Sequence, residues 1–260
     1  DRFGSRVLLQ RLAHQHGIAA FVANGQYGMI EGAVDDGVVL NGYAKTGVWA
    51  PTATSTMIAF FRDAPGAMID IGANIGLTTI PVAMAGNARC YSFEPEPQNY
   101  RHLVRNVANR CAPGTVSAFN MALYDKPGRM TLSLSPDNMG DHSLVAADAA
   151  SSVGHGQRQT VEVDVARLDD VLKDLREERV AIKVDTQGAE PGVFAGGKRI
   201  LTRARLLISE FWPFGIRALR GDAAPMLDFW SEHFTEGGKV RQIWASAPGR
   251  DVYFDVYLRR

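Results

Sequence analysis

The sequence has 260 residues, 46% of them apolar, and its 28 Lys and Arg balance 28 Asp and Glu. The apolar share suffices for the core of a full-sized α/β domain, while neutral charge excludes a field that would gather nucleic acid or an anionic membrane. Cys90 and Cys111 form neither a disulfide framework nor a C-x-x-C pair, which points to a reducing compartment and away from structural zinc.

The opening residues DRFGSRVLLQRLAHQHG place Val7, Leu8 and Leu12 on one face of a short helix and lack the apolar centre of a signal peptide. No apolar run reaches the ~18 residues a membrane span needs, so a soluble cytoplasmic protein is expected. Residues 18–50 alternate apolar with polar or Gly and carry NG, DDG and NG turn signals, which predict hairpins. TATSTMIAFFRDA, opening after Pro51, predicts a helix that stops at Pro65 and Gly66.

Strands and helices then alternate. AMIDI predicts a short buried strand, and NIGLTTIPVAMAG a helix with Pro81 in its first turns. ARCYSFEP is a second strand and QNYRHLVRNVANR an amphipathic helix with Tyr100, Leu103, Val104 and Val107 on one face. TVSAFNMAL is a third strand. Between 129 and 164 the alternation breaks: RMTLSLS and QTVEVDV predict paired strands around a long Gly-, Ser-, Ala- and Asp-rich loop, the kind that serves as a lid or binding loop. RLDDVLKDLREE (helix), VAIKVD (strand), GAEPGVFAGGKRIL (interrupted helix), RLLISEFW (strand) and APMLDFWSEHF (helix) restore it. The last helix carries Met226, Leu227, Trp230 and Phe234 on one face; VRQIWA and DVYFDVYLRR predict a closing antiparallel strand pair. The expectation is an α/β, doubly wound, mostly parallel sheet with an antiparallel C-terminal edge. Residues 1–66 would form a helix and hairpin extension packed on a core of 67–260, one structural unit with no linker.

The chemistry concentrates in MIDIGANIG, residues 68–76, and FEPE, residues 93–96. Gly72 and Gly76 bracket a turn at a strand end, but the middle glycine of a dinucleotide fingerprint is Asn74, and no Lys of a phosphate loop follows. Glu94, ending the second strand, is placed to accept hydrogen bonds from ribose hydroxyls, and Asp70 to attract an amino group. Ribose, a cationic amino-acid tail and no phosphate describe S-adenosylmethionine. The competing reading is a turn whose glycines only permit close helix–strand packing.

MIDIGANIGLTTI, YSFEPEPQNYRHLVRN, NMALYDKPG, RLDDVL and VAIKVDTQGAEPGVFAGG, in that order and spacing, resemble the FkbM-type S-adenosylmethionine-dependent methyltransferase family from about Gly28 to Phe214. The resemblance implies a class I methyltransferase-like fold and methyl transfer to a hydroxyl oxygen, commonly of a sugar or a polyketide-type product. It also implies that the cofactor tail lies along Asp70, Gly72, Asn74 and Gly76. Glu94 would take the ribose with Pro95 shaping that turn, and Asn120 and Ala122 would border adenine. Gln187 stands where the family often has Glu.

Asp185 and Glu210, ending the fourth and fifth strands of the parallel pattern, can bind an amine, a substrate hydroxyl or a divalent metal. Alternatively, one contacts the cofactor's amino group and the other is a structural acid. Glu190 either joins them or only begins a helix, where its charge suits the dipole. His142, in the long loop, is a candidate base or a solvated side chain. Lys183 either orients the substrate or covers the sheet with its stem. Trp212, Phe214 and Trp230 either line an acceptor pocket or pack in the core. An N-methyltransferase and a non-catalytic cofactor-binding module are the alternatives, although the [ND]-P-P-[YF] segment of nucleobase amine methylation is absent.

Overall fold

A computed structural model describes residues 2–144, 158–246 and 253–260. Helix α1 (Arg2–Gln15) precedes a hairpin of β1 (Ala20–Gly25) and β2 (Gly28–Ala33). The second expected hairpin is instead helix α2 (Val39–Thr46). Asp36 decides this locally: its carboxylate accepts from the amides of Val38, Val39 and Leu40 at 2.8–3.1 Å, supplying partners for orphan donors of the first turn. Val39, Leu40 and Tyr43 then face inward, and Asn41-Gly42 is helix interior rather than a turn. The Tyr43 hydroxyl accepts from Tyr27 N and donates to Gly28 O, which ties α2 to the hairpin turn.

Helix α3 (Pro51–Phe61) buries Ala53, Met57 and Phe61 at helical spacing. After it come β3 (Gly66–Ile71), α4 (Thr79–Met84), β4 (Ala88–Phe93), α5 (Pro97–Arg110) and β5 (Val116–Phe119). The buried face of α5 differs from the expected apolar stripe: Asn99, His102, Leu103 and Asn106 are inside and Val104 is exposed. Polar bonds set this rotation. Asn106 accepts from Glu31 N and donates to Glu31 O and Ile75 O, and His102 Nδ1 lies 2.8 Å from Glu31 Oε1.

The third expected strand divides, its end becoming β6 (Ala122–Leu123). β7 (Gly128–Ser133), β8 (Ser143–Leu144) and β9 (Thr160–Ala166) complete a second sheet of order β6-β9-β7-β8. The expected pairing of the insertion is present, with β7 and β9 antiparallel from Gly128↔Val165 to Ser133↔Thr160. The remainder of the expected long loop, residues 145–157, lies outside the described residues.

Helix α6 (Leu168–Val171) is shorter than expected, because the chain turns at Leu172 to send Leu172 and Leu175 into the core. β10 (Val180–Val184), α7 (Glu190–Gly196), α8 (Lys198–Leu201), β11 (Ala204–Phe211), α9 (Pro213–Ala218) and α10 (Ala224–His233) follow. VRQIWA, expected as a strand, belongs to α11 (Gly237–Ser246). Val240 and Trp244, four residues apart, both reach the main core, where Trp244 meets Phe211 edge-on. The last strand, β12 (Phe254–Arg259), therefore pairs antiparallel with β11.

The main sheet has the order β12-β11-β10-β3-β4-β5, parallel except for β12. This is the doubly wound α/β arrangement with an antiparallel C-terminal edge. Chain direction reverses across the sheet between β3 and β10, and ligands of open α/β sheets bind in the crevice at the carboxyl ends beside such a switch. Among the described residues no helix is long and apolar enough to cross a membrane.

Candidate functional site

A cavity of about 240 Å³ opens at that switch point. Its floor is the turn after β3. Gly72, Asn74 and Gly76 all have positive φ, at 81°, 52° and 93°, and the amides of Gly72 and Ala73 both donate to Phe93 O. A Cβ on Gly72 would sit 1.9 Å from Asp185 O, so only glycine lets the ends of β3 and β10 approach. Gly76 has a different reason: a Cβ there would meet Leu103 of α5, and the residue does not line the cavity.

Glu94 is buried at the cavity wall, with Oε2 accepting from Asn74 N at 2.8 Å and Oε1 from Glu96 N at 2.9 Å. Burial pushes its carboxyl up to about 7 despite those amides. Each oxygen keeps a second acceptor site. Pro95 and Ala122 also line the cavity, together with Phe93, Met121 and Leu123 on an apolar flank. Asn120 does not; it donates to the carbonyls of Glu94 and Pro95 and so fixes that bend. The Asn74 side chain is committed to a loop, donating to Met139 O at 2.6 Å, and Asn99 donates to the same carbonyl at 3.0 Å. These two amides hold residues 138–142 across the cavity, where Gly37 N also bonds Asp137 O.

The opposite wall is acidic. Lys183 Nζ stands 3.3 Å from Asp70 Oδ1 and 3.5 Å from Asp185 Oδ2, and donates to Gly72 O at 3.1 Å. Burial alone lowers this ammonium, but the two carboxylates outweigh it and hold it above its ordinary value. Asp70 is fully buried, accepts from Thr79 Oγ1 and is absent from the cavity lining. The expected amino-group ligand is thus covered by an internal cation, and Lys183 presents itself to the cavity instead. Gln187, at φ 53°, donates from Nε2 to both Asp185 Oδ1 and Glu210 Oε1 at 2.9 Å. Glu210 is buried and raised far above the usual carboxylate range by burial and then by the charges of Asp185 and Glu190. Glu190 begins α7, accepting from Thr186 N, Thr186 Oγ1 and Gly188 N.

His142 lines the cavity, and its Nδ1 accepts from Ser135 N at 3.0 Å. Burial lowers its pKa, so the ring is neutral with its proton on Nε2. A donor, not an acceptor, faces outward from that bond. Trp230 is core and Trp212 packs on Gly215; neither these nor Phe214 lines the cavity. Asp185, Glu210, His142, Gly72, Asn74, Glu94, Pro95 and Ala122 are therefore brought together, whereas Asp70, Gly76 and Asn120 stand behind them.

Sequence reasoning missed Tyr253, Asp255 and Trp49, which also line the cavity. The alternation in DVYFDVYLRR carries a signal for Asp255, but its partner strand had to be known to place it. Among the described residues no group of three His, Cys, Asp or Glu is arranged to hold a metal ion.

The sequence matches the methyltransferase FkbM domain over residues 70–239. It is 30% identical over 176 residues to methyltransferase sdnD of Sordaria araneosa, a match spanning 58% of this chain and 68% of that protein. It is 29% identical over 157 residues to 2-O-methyltransferase NoeI of Sinorhizobium fredii, spanning 55% of this chain and 62% of the relative. Among solved structures, precorrin-6y C5,15-methyltransferase of Geobacter metallireducens aligns over 86% of this chain and 95% of its own at 13% identity, with a TM-score of 0.39.

Proposed function

The chain belongs to the FkbM family of S-adenosylmethionine-dependent methyltransferases, and from that premise we propose that it methylates a hydroxyl oxygen of a small-molecule or glycan acceptor in the cavity at the carboxyl edge of the main sheet. One observation carries the reading: a single cavity has an apolar flank, a buried acceptor at Glu94 and a lysine-held carboxylate at Asp185. The residues fit the cofactor. Phe93, Met121, Ala122 and Leu123 suit a flat purine, and Glu94 the ribose hydroxyls. When bound, S-adenosylmethionine supplies a methyl group already activated on a sulfonium.

The protein then has to align the acceptor oxygen, exclude water and receive one proton. Asp185, with its side chain 38% exposed, is the acceptor of that proton. Its Oδ1 is steered by Gln187 and its Oδ2 by Lys183. The proton of the acceptor hydroxyl would pass to Asp185 as that oxygen is methylated. A base of this kind is worth about 10²–10⁴ in rate. His142, with a proton on Nε2, donates to the acceptor rather than acting as base. Residues 138–142, held by Asn74 and Asn99, shield the reacting atoms. The relative named 2-O-methyltransferase supports oxygen over nitrogen, and the neutral chain supports an acceptor other than nucleic acid.

The test is turnover of S-adenosylmethionine with a pooled hydroxyl-acceptor library and a matching amine library. Products methylated on oxygen, lost in Asp185→Asn, are expected. Products methylated only on nitrogen would overturn the assignment.

A further inference from the structure

Three neighbouring strand ends set three carboxyl groups in a row. Asp185 follows the Val184↔Ser209 pair of β10 and β11, which puts it beside Glu210, and Glu210 lies opposite Asp255 across the antiparallel β11–β12 ladder. Like charges facing across a ladder are destabilising, and the raised Glu210 keeps its proton at neutral pH beside the other two; all three line the cavity, with Tyr253 among them. Lys183 is the one Lys or Arg on that lining among the described residues, and Asp70, Asp185 and Gly72 O already share it. Glu210 is 1% exposed; Oε1 accepts from Gln187 and the Tyr253 hydroxyl stands close to the carboxyl, while Oε2 has no partner at full hydrogen-bond geometry. Burial and the neighbouring acid Asp185 also raise Asp255. A buried acceptor without a donor, in a cavity short of positive charge, matches a ligand that brings both.

We propose that the acceptor carries a protonated amine near the hydroxyl that is methylated, as in an amino sugar or another amino alcohol, and that Glu210, Asp255 and Tyr253 bind this ammonium. An alkylammonium has three donors, enough for one Asp255 oxygen, the Tyr253 hydroxyl and Glu210 Oε2, whose carboxyl releases its proton to solvent as the cation binds. Asp185, tied to Lys183, stays available to the hydroxyl. The methylated hydroxyl rests on the methyl-transfer reading above; the ammonium subsite rests on the carboxyl row itself. An anionic acceptor is disfavoured by the same groups.

The test titrates D-glucosamine, D-glucose and D-glucuronate at neutral pH, with and without S-adenosylhomocysteine, by saturation-transfer NMR. Glucosamine should bind about tenfold more tightly than glucose, with glucuronate weakest. Asp255→Asn, in the edge strand β12, and Glu210→Gln should each shrink that preference, with the melting temperature reporting that the variants fold. Equal binding of glucosamine and glucose, preference for glucuronate, no binding of any probe, or an unchanged preference in folded variants overturns the proposal. Binding of S-adenosylhomocysteine without amine preference removes only the ammonium subsite. Amine preference without S-adenosylhomocysteine binding removes the cofactor reading instead.

Discussion

Glu94 combines burial with two backbone amides and a carboxyl raised to about 7 from an ordinary 4.5. Because its folded value is raised, its contribution to stability is full below the unfolded value and declines as pH rises through about 7, where the group must ionise against burial. Glu94→Gln should therefore flatten the fall in melting temperature across this window, measured by calorimetry in matched buffers. Ribose hydroxyls donate to the ionised form, so affinity for S-adenosylhomocysteine should climb with pH up to about 7 and then level off, and Glu94→Gln should remove that slope. His142 offers a second check at the same scale. With Nδ1 taken by Ser135 N, His142→Gln should slow turnover without changing the shape of the pH–rate profile. Loss of an inflection in the variant would return His142 to the role of base. Glu94 was legible in the sequence because a strand end carries it; the commitment of Asp70 to Lys183 was not, because strand register alone sets those two side chains side by side.

The turn after β3 and helix α2 show how local elements set the site. Gly72→Ala combines a left-handed φ of 81° with a Cβ 1.9 Å from Asp185 O. It should cost more than about 3 kcal/mol, read as a lowered denaturation midpoint at unchanged slope. Asp36→Ala removes the acceptor for three amides at the start of α2 and should cost ~1–2 kcal/mol. Because Val38 and Val39 line the cavity, it should also weaken cofactor binding; an unchanged affinity would show that α2 does not shape the site. The parallel strands were legible because each is a short apolar run between turn signals. Helix α2 was hidden by Asn41-Gly42, whose turn preference lost to the Asp36 cap and to Val39, Leu40 and Tyr43. Helix α11 was hidden by its brevity, since VRQIWA satisfies a strand pattern and the four-residue spacing of Val240 and Trp244 equally well. The inward face of α5 escaped because Asn99, His102 and Asn106 are buried by bonds rather than by hydrophobicity.

At the scale of the whole molecule, a sheet that reverses between β3 and β10 gathers residues from five strand ends and from the N-terminal extension into one cavity. The wall around Gly72 and Glu94 was readable from two motifs near one another in the chain. On the other wall Asp185 and Glu210 were readable as strand-end acids, whereas Trp49, Tyr253 and Asp255 were not, because only the sheet order and the N-terminal extension bring them to the cavity. In the function proposed above, this cavity holds S-adenosylmethionine with Glu94 on its ribose. Titration calorimetry of S-adenosylhomocysteine into the wild-type protein and a folded Glu94→Ala variant tests it most directly. Hydrogen bonds to a charged group, worth ~1.5–3 kcal/mol, predict saturable binding by the wild type and a loss of about 10–100-fold in the variant. No binding by the wild type, or equal affinity in the two proteins, would contradict it.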